Sequence, residues 1–309
     1  MRILVTGGAG FLGHHLCNTL VGAGHEVIAV DDLSAGDPER LDPRVLFHRA
    51  SVLNRPKLWT LLHGVDCVYH LAARVLVAES VLYPREYNEV NVGGTVALLE
   101  AMRDLEIPRL ILASSGAIYG EQAQQPIAER ARPHPRSPYA VSKLAAEHYV
   151  HTIGALWEIS TAVLRIFNAY GPGQALPASH APVVPRFLQQ AVGGGSLVIF
   201  GDGSQTRDYV YIDDVVEGLI AAGNAEEIER KTLNIGSGVE TSVNALAHLI
   251  LEVAGSESNV IHSAAGSAGV SRLRADLTEA RQHLNYRPKT SLKAGLRKTL
   301  AQDPRFRRA

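Results

Sequence analysis

Apolar residues along the chain fall into short, nearly continuous runs, separated by stretches in which they recur every third or fourth position. The runs are Ile3-Leu4-Val5, Val27-Ile28-Ala29-Val30, Cys67-Val68-Tyr69-His70-Leu71 and Leu110-Ile111-Leu112-Ala113. Strands apolar on both sides belong to a sheet covered on both faces, and helices between them make that sheet parallel. Helical spacing marks Phe11 to Val21, a long stretch from about Asn88 to Leu105, and another from about Ser137 through His151. After Tyr170 the texture changes. Gly171-Pro172-Gly173 opens a Pro/Ala/Ser/His-rich segment that runs to Pro185. Beyond it, helical patterns at about 183–192 and 242–254 mix with short strands. The pattern predicts an α/β fold, a doubly wound parallel sheet in residues 1–170 with a smaller C-terminal α/β lobe in 171–309. Some later segments are expected to return to the first unit.

Composition narrows the function mainly by exclusion. A chain of 309 residues, 46% hydrophobic and 20% charged, can bury a full core. Thirty Lys plus Arg against thirty-one Asp plus Glu leave a formal net charge of -1, which argues against nucleic acid or a membrane surface as partner. No apolar run approaches the roughly 18 residues of a membrane helix. The opening Met1-Arg2-Ile3-Leu4-Val5-Thr6-Gly7 is too short an apolar stretch for a signal peptide, so a cytoplasmic location is expected. Cys17 and Cys67 fit no metal or redox spacing and read as buried free thiols. The thirteen histidines show no metal-ligand spacing either, and no metal is expected.

Gly7-Gly8-Ala9-Gly10-Phe11-Leu12-Gly13 joins the first strand to the first helix. Gly7 permits a tight turn, Gly10 lets the backbone approach a pyrophosphate, and Gly13 allows close helix–sheet packing. The helix N-terminus, at Phe11 and Leu12, adds N–H groups and partial positive charge. Asp31 ends the second strand about 20 residues later, where an acid binds ribose hydroxyls. These are the marks of a Rossmann-type dinucleotide site. A carboxylate there repels the 2′-phosphate of NADP, and no Arg or Lys follows in Asp32-Leu33-Ser34-Ala35-Gly36, so NAD is the expected cofactor. Ser34 and Gly36 can close over the adenosine, although a plain turn uses the same residues.

Tyr139-Ala140-Val141-Ser142-Lys143 sets a phenol and an ammonium one helical turn apart on the same face. A tyrosine is a poor base near neutrality, and bringing it there takes roughly 4 kcal/mol of differential stabilisation. Lys143 and the positive nicotinamide ring of NAD⁺ are expected to lower it. Alone, Tyr-x-x-x-Lys is common on ordinary helices. A third group comes from Ser114 and Ser115 at the end of an apolar strand, where ligands of such sheets lie. A serine there can pass a proton to or from the tyrosine, or simply cap a turn.

In this order, the blocks resemble the nucleotide-sugar epimerase/dehydratase family of extended short-chain dehydrogenases, over almost the whole chain. They are Thr6-to-Gly13, Asp31-Asp32-Leu33-Ser34, His70-Leu71-Ala72-Ala73, Asn91-Val92-Gly93-Gly94-Thr95, Ser114-to-Gly120, Tyr139-to-Lys143, Arg165-to-Gly171 and Gly201-to-Tyr209. The resemblance implies Tyr139 as base, Lys143 on the nicotinamide ribose and Ser115 assisting proton transfer. It puts Leu71, Ala72, Ala73, Asn91, Val52 and Ile166 against the cofactor. Asn168 and Arg207 would hold a sugar nucleotide's diphosphate, with Phe200 near its base; the plain alternative for Arg207 is an ion pair with Asp208. The family commonly dimerises through the two helices near 88–105 and 137–151, so a homodimer is expected.

Departures from the family pattern fall on the adenine-contacting position, Ser51 in place of an acid, and on Ile166, where a tyrosine is common. Ala264-Ala265-Gly266 replaces a family Arg-Pro-Gly, and Arg272 can substitute as the phosphate ligand. Arg74-Val75-Leu76-Val77-Ala78, beside the expected sugar pocket, is unusually apolar. Arg186 is open between a diphosphate contact, a uronate contact and a solvent-facing side chain. Dehydrating relatives carry Asp-Glu directly after the proton-transferring hydroxyl, and decarboxylating ones keep a Glu at the second position. Here the two are Gly116 and Ala117, which carry no protons. The expected reaction is therefore C4 epimerisation of a UDP-hexose, UDP-glucose/UDP-galactose first. Uronic or N-acetylated UDP-sugars, a 4,6-dehydratase or ketoreductase, and a non-catalytic dinucleotide sensor are the alternatives.

Overall fold

Seven short strands, most of them buried on both sides, lie parallel in one sheet. The computed structural model describes residues 1–177, 180–264 and 269–307. Its strands are, in chain order, β1 (Arg2–Thr6), β2 (Glu26–Asp31), β3 (Leu46–Arg49), β4 (Cys67–His70), β5 (Arg109–Ser115) and β6 (Ser160–Ile166). There follow β7 (Asn168–Tyr170), β8 (Leu197–Phe200), β9 (Thr206–Tyr211), β10 (Lys231–Ile235), β11 (Glu240–Ser242) and β12 (Val260–Ser263). The main sheet has the order β10-β6-β5-β4-β1-β2-β3, every neighbouring pair parallel. Strand order reverses between β1 and β4, the place where Rossmann-type sheets open a ligand crevice. β10 comes from far along the chain and pairs with β6, setting Asn234 opposite Arg165.

Alternation along each strand feeds two cores. On β5, Leu110 and Leu112 join Leu4, Ile28, Val68, Leu98 and Val150 on one face. Ile111 and Ala113 join Ile3, Val5, Tyr69 and Leu219 on the other. The apolar runs are thus buried from both sides, as a doubly covered sheet requires.

The first helix, Phe11–Gly22, and the later Val183–Val192 and Val243–Ala254 fall where the spacing places them. The helix expected over 88–105 is composite: Pro84–Asn88, a π-helical turn Glu89–Gly93, then Gly94–Asp104. Such wide turns gather at functional positions, and this one contains the buried Asn91. The helix expected to end near His151 continues to Leu156 as Pro138–Leu156. Ser137 caps it by accepting from the Ala140 N–H at 3.1 Å, with Pro138 in the first turn. Neither β3 nor β6 announces itself as an apolar run. β3 is a half-exposed edge, and β6 contains a buried arginine.

The second lobe holds a three-stranded sheet in the order β11-β9-β7 and the parallel pair β8–β12. Within the Ala264-Ala265-Gly266 departure, Ala265 and Gly266 lie outside the described residues. No helix among the described residues is long and apolar enough to cross a membrane.

Candidate active site

The loop after β1 is built around missing side chains. Gly7 has φ +67°, and a Cβ on it would lie 2.7 Å from Ala72 N and 2.8 Å from Ala72 Cα. A Cβ on Gly13 would press on the Gly7 carbonyl and stand 2.7 Å from Gly8 Cα. No side chain caps the helix that follows, so its first N–H groups face the crevice available to an anion. Asp31 closes β2 and is fixed by Ala9 N–H (3.1 Å) and Leu33 N–H (2.8 Å). Burial holds its carboxyl above the usual range, against those two hydrogen bonds. Asp32 accepts from Ser34 N–H at 2.9 Å, which shapes the turn leading to Gly36. Ser51 accepts from Leu53 N–H at 3.2 Å, and Val52 is buried against Gly94. A glycine-lined loop, an uncapped helix start and an acid at the second strand's end fit a dinucleotide by their own geometry.

A buried hydrogen-bond chain joins this loop to the reacting helix. Thr95 Oγ1 donates to Asn91 O at 2.6 Å, so it accepts from His70 Nε2 at 3.0 Å. Burial, aided by Lys143, pulls His70 down to about 3, which leaves the ring neutral and Nδ1 bare. Thr6 Oγ1 then donates to Nδ1 at 2.7 Å and accepts from Ala72 N–H at 3.3 Å. Asn91 continues the chain: its oxygen takes Arg74 N–H (2.8 Å), its amide gives to Arg74 O (3.0 Å) and Ser142 Oγ (2.9 Å). Ser142 in turn donates to Tyr139 O at 2.8 Å. Both amide donors of Asn91 are therefore taken up by protein, and it acts on the site as a brace.

Tyr139 and Lys143, 8% and 4% exposed, lie on the Pro138–Leu156 helix. Ser115 faces the Tyr139 phenol and favours its ionised form, and its hydroxyl accepts from Ala117 N–H at 3.2 Å. Ser115 therefore caps its turn and faces the tyrosine at once. Within the polypeptide, burial pushes the Tyr139 phenol up, only partly offset by Ser115. Burial brings Lys143 down to about 8, with Glu147 pulling the other way.

The substrate candidates line the second lobe. Asn168 on β7 stands in register with Tyr209 on β9, and Arg207 is two residues before Tyr209, on the same face. Arg207 does not take the ion-pair alternative. Asp208 points the other way and accepts from Ser237 N–H (2.6 Å), Gly238 N–H (2.9 Å) and Ala275 N–H (3.0 Å). Arg272 forms a two-pronged pair with Glu240, both contacts 2.7 Å. Arg186 is half-buried, its guanidinium 5.2 Å from the Phe187 ring centre and 5.3 Å from that of Phe200.

Comparison with known proteins places the chain in a family. The profile of the NAD dependent epimerase/dehydratase family matches residues 3–236. The chain belongs to that family. It is 36% identical over 307 residues to UDP-glucose 4-epimerase of Mycolicibacterium smegmatis, covering 97% of each chain. Among solved structures it resembles UDP-glucose 4-epimerase from Thermotoga maritima with UDP-glucose (TM-score 0.94, 37% identity, 97% and 98% of the two chains). It also resembles UDP-glucuronic acid 4-epimerase from Bacillus cereus, in complex with UDP-glucuronic acid and NAD (TM-score 0.90, 32% identity, 97% and 98%). The protein is an NAD-dependent nucleotide-sugar epimerase with a Rossmann-type fold.

Two features of this epimerase escape a motif reading. His70, Thr6 and Thr95 lie in three separate blocks, and only the fold makes them one chain of hydrogen bonds. Glu147 does carry a signal, since it stands one helical turn beyond Lys143. Its buried partner Arg165, on β6, is invisible to local spacing.

Proposed function

We propose that this enzyme inverts C4 of a UDP-hexose, with UDP-glucose and UDP-galactose as first choice, through a transient 4-keto sugar. The turn after Ser115 carries the reading. Gly116 and Ala117 offer neither acid nor base, so elimination or decarboxylation lacks its extra proton carrier, whereas a C4 epimerase needs only Ser115, Tyr139 and Lys143. NAD, when bound in the Gly7–Gly13 and Asp31 cradle, would supply the hydride acceptor and donor that an inversion at C4 needs. Tyr139 accepts the proton of the 4-hydroxyl, and Ser115 assists the transfer. The phenol's ionisation rests on Lys143 together with the cofactor's positive charge, because burial alone opposes it. Asn168, Arg207 and Arg272 hold the diphosphate by charge-assisted bonds, Phe200 covers the base, and the hexose stays loosely bound.

In this reading residues 1–170 bind the cofactor, with Ser115, Tyr139 and Asn168 also meeting the sugar nucleotide, and 171–309 complete the sugar nucleotide's site. The enzyme acts in the cytoplasm as a homodimer joined through Gly94–Asp104 and Pro138–Leu156. Exposed Val141, Tyr149 and Leu156 on the latter helix support that face, and sedimentation velocity tests it. A second substrate, UDP-glucuronate, is favoured by Arg186, whose buried Nε has no hydrogen-bond partner among the described residues and suits a carboxylate.

The test is a panel of UDP-galactose, UDP-glucuronate, UDP-N-acetylglucosamine and dTDP- and GDP-sugars, incubated without added NADH and read by NMR. Interconversion of C4 epimers is expected. A 4-keto product accumulating stoichiometrically or a 6-deoxy sugar would overturn the reading. Tyr139→Phe should keep NAD and lose turnover; a sensor would survive that change.

A further inference from the structure

The reacting helix carries more ionisable groups than the reaction uses. Tyr139, Lys143, Glu147 and His151 follow one another at intervals of four, the ridge that side chains form along a helix. Glu147 is 3% exposed and is gripped from two strands. Ser114, the neighbour of Ser115 on β5, donates a short hydrogen bond to Glu147 Oε1. Arg165 on β6 meets it with Nη2 at 2.8 Å and Nε at 3.2 Å from both oxygens. Ser114 and Arg165 are register partners, so the carboxylate sits above a single row of the sheet. The row goes on through Tyr119, which accepts from Arg165 Nη1 (2.9 Å) and donates to Asn234 on β10 (2.7 Å).

We propose that Glu147 is a positioning residue for the reaction: it supplies the buried counter-charge of Lys143 and, through Ser114, fixes the strand end that presents Ser115 to Tyr139. The inference rests on the enzyme being an NAD-dependent epimerase, and not on which hexose it turns over. A bare ion pair for stability is the competing explanation. Buried pairs of that kind are weak contributors, commonly replaced by apolar residues without loss, and the Ser114 bond gives this one a direct path to the site. Charged and titratable groups around Glu147 are Lys143 and His151 on its own helix, Arg165 on β6, and Tyr119 and Glu129 beyond Arg165. Among them, Glu147 is the charge that holds the Lys143 ammonium up against burial.

The test removes the charge while keeping the hydrogen-bond acceptor. Glu147→Gln still accepts from Ser114, and the double variant Glu147→Gln/Arg165→Met avoids stranding a buried guanidinium if the single variant fails to fold. In NAD-loaded protein, the Lys143 titration is followed by NMR of ¹³C-labelled lysine, assigned with Lys143→Met. Loss of a near opposite charge should move it to lower pH by about one unit or more. The alkaline limb of kcat should move by the same amount, with KM unchanged. A Lys143 titration that superimposes on wild type overturns the proposal, even if thermal stability or kcat falls. The NMR titration needs no sugar, so it stands even if no UDP-hexose is turned over.

Discussion

Replacing Gly13 by alanine adds one methyl group at the place where helix and loop touch. That Cβ would run into the Gly7 carbonyl and stand 2.7 Å from Gly8 Cα and 2.8 Å from Gly8 C. Carbon atoms settle at about 3.5–4.0 Å, so the loop must shift by roughly 1 Å. Every neighbour is backbone, and no side chain can rotate away. Overpacking of this kind costs about 1–3 kcal/mol, and the segment displaced is the one that receives the pyrophosphate. Gly22→Ala, at the exposed end of the same helix, meets nothing within 4 Å and should gain about 0.5–1 kcal/mol. Urea unfolding followed by tryptophan fluorescence, with and without NAD, measures both terms. NAD at a hundred times its wild-type Kd stabilises by about 2.7 kcal/mol. A tenfold or greater loss of affinity in Gly13→Ala cuts that to about 1.4 kcal/mol or less. Its midpoint should fall at unchanged slope, while Gly22→Ala should rise and keep the full NAD increment. Equal midpoints and equal increments in the two variants would refute the packing argument.

Other outcomes follow from the same contacts. His70 is held near 3 by burial when folded and returns to about 6.5 when unfolded, so the unfolded chain binds the extra proton between those values. Stability should therefore fall as pH drops from about 6.5, by about 1.4 kcal/mol per pH unit for this group. His70→Gln should flatten the slope measured at pH 7, 6 and 5, and parallel slopes would count against it. Asp31→Asn should lower the preference for NAD over NADP at least tenfold, read as two Kd values; an unchanged ratio would detach Asp31 from the ribose. Ser137→Ala removes the cap at the start of the reacting helix and should cost about 1 kcal/mol in thermal or urea unfolding.

Local chemistry was readable from sequence because it is written at short range. Gly7, Gly10 and Gly13 share one loop, and Tyr139 and Lys143 share one turn, so spacing alone brings them together. Burial of β1, β2, β4 and β5 from both sides was likewise legible in their unbroken apolar runs. β6 was not, because Arg165 interrupts its pattern; the residue that makes it tolerable, Glu147, comes from another element. The π turn at Glu89–Gly93 leaves the apolar spacing almost unaltered while re-aiming Asn91 at Arg74 and Ser142. Arg272 was expected as a phosphate ligand, and its grip on Glu240 is a non-local fact that no motif encodes. The lysine–tyrosine spacing puts both groups on one helical face, but pattern reading cannot weigh the desolvation that raises the buried phenol.

Because β10 is threaded in from beyond residue 230 to flank β6, the seven-stranded sheet is not built from one continuous stretch of chain. A product stopped at Tyr170 would leave the outer rim of β6 unpaired, a ready template for self-association. It would also strip Tyr119 of Asn234, at the end of the row that steadies Arg165. Engineers who want to graft a different sugar pocket onto this cofactor unit would have to carry that late strand along with it.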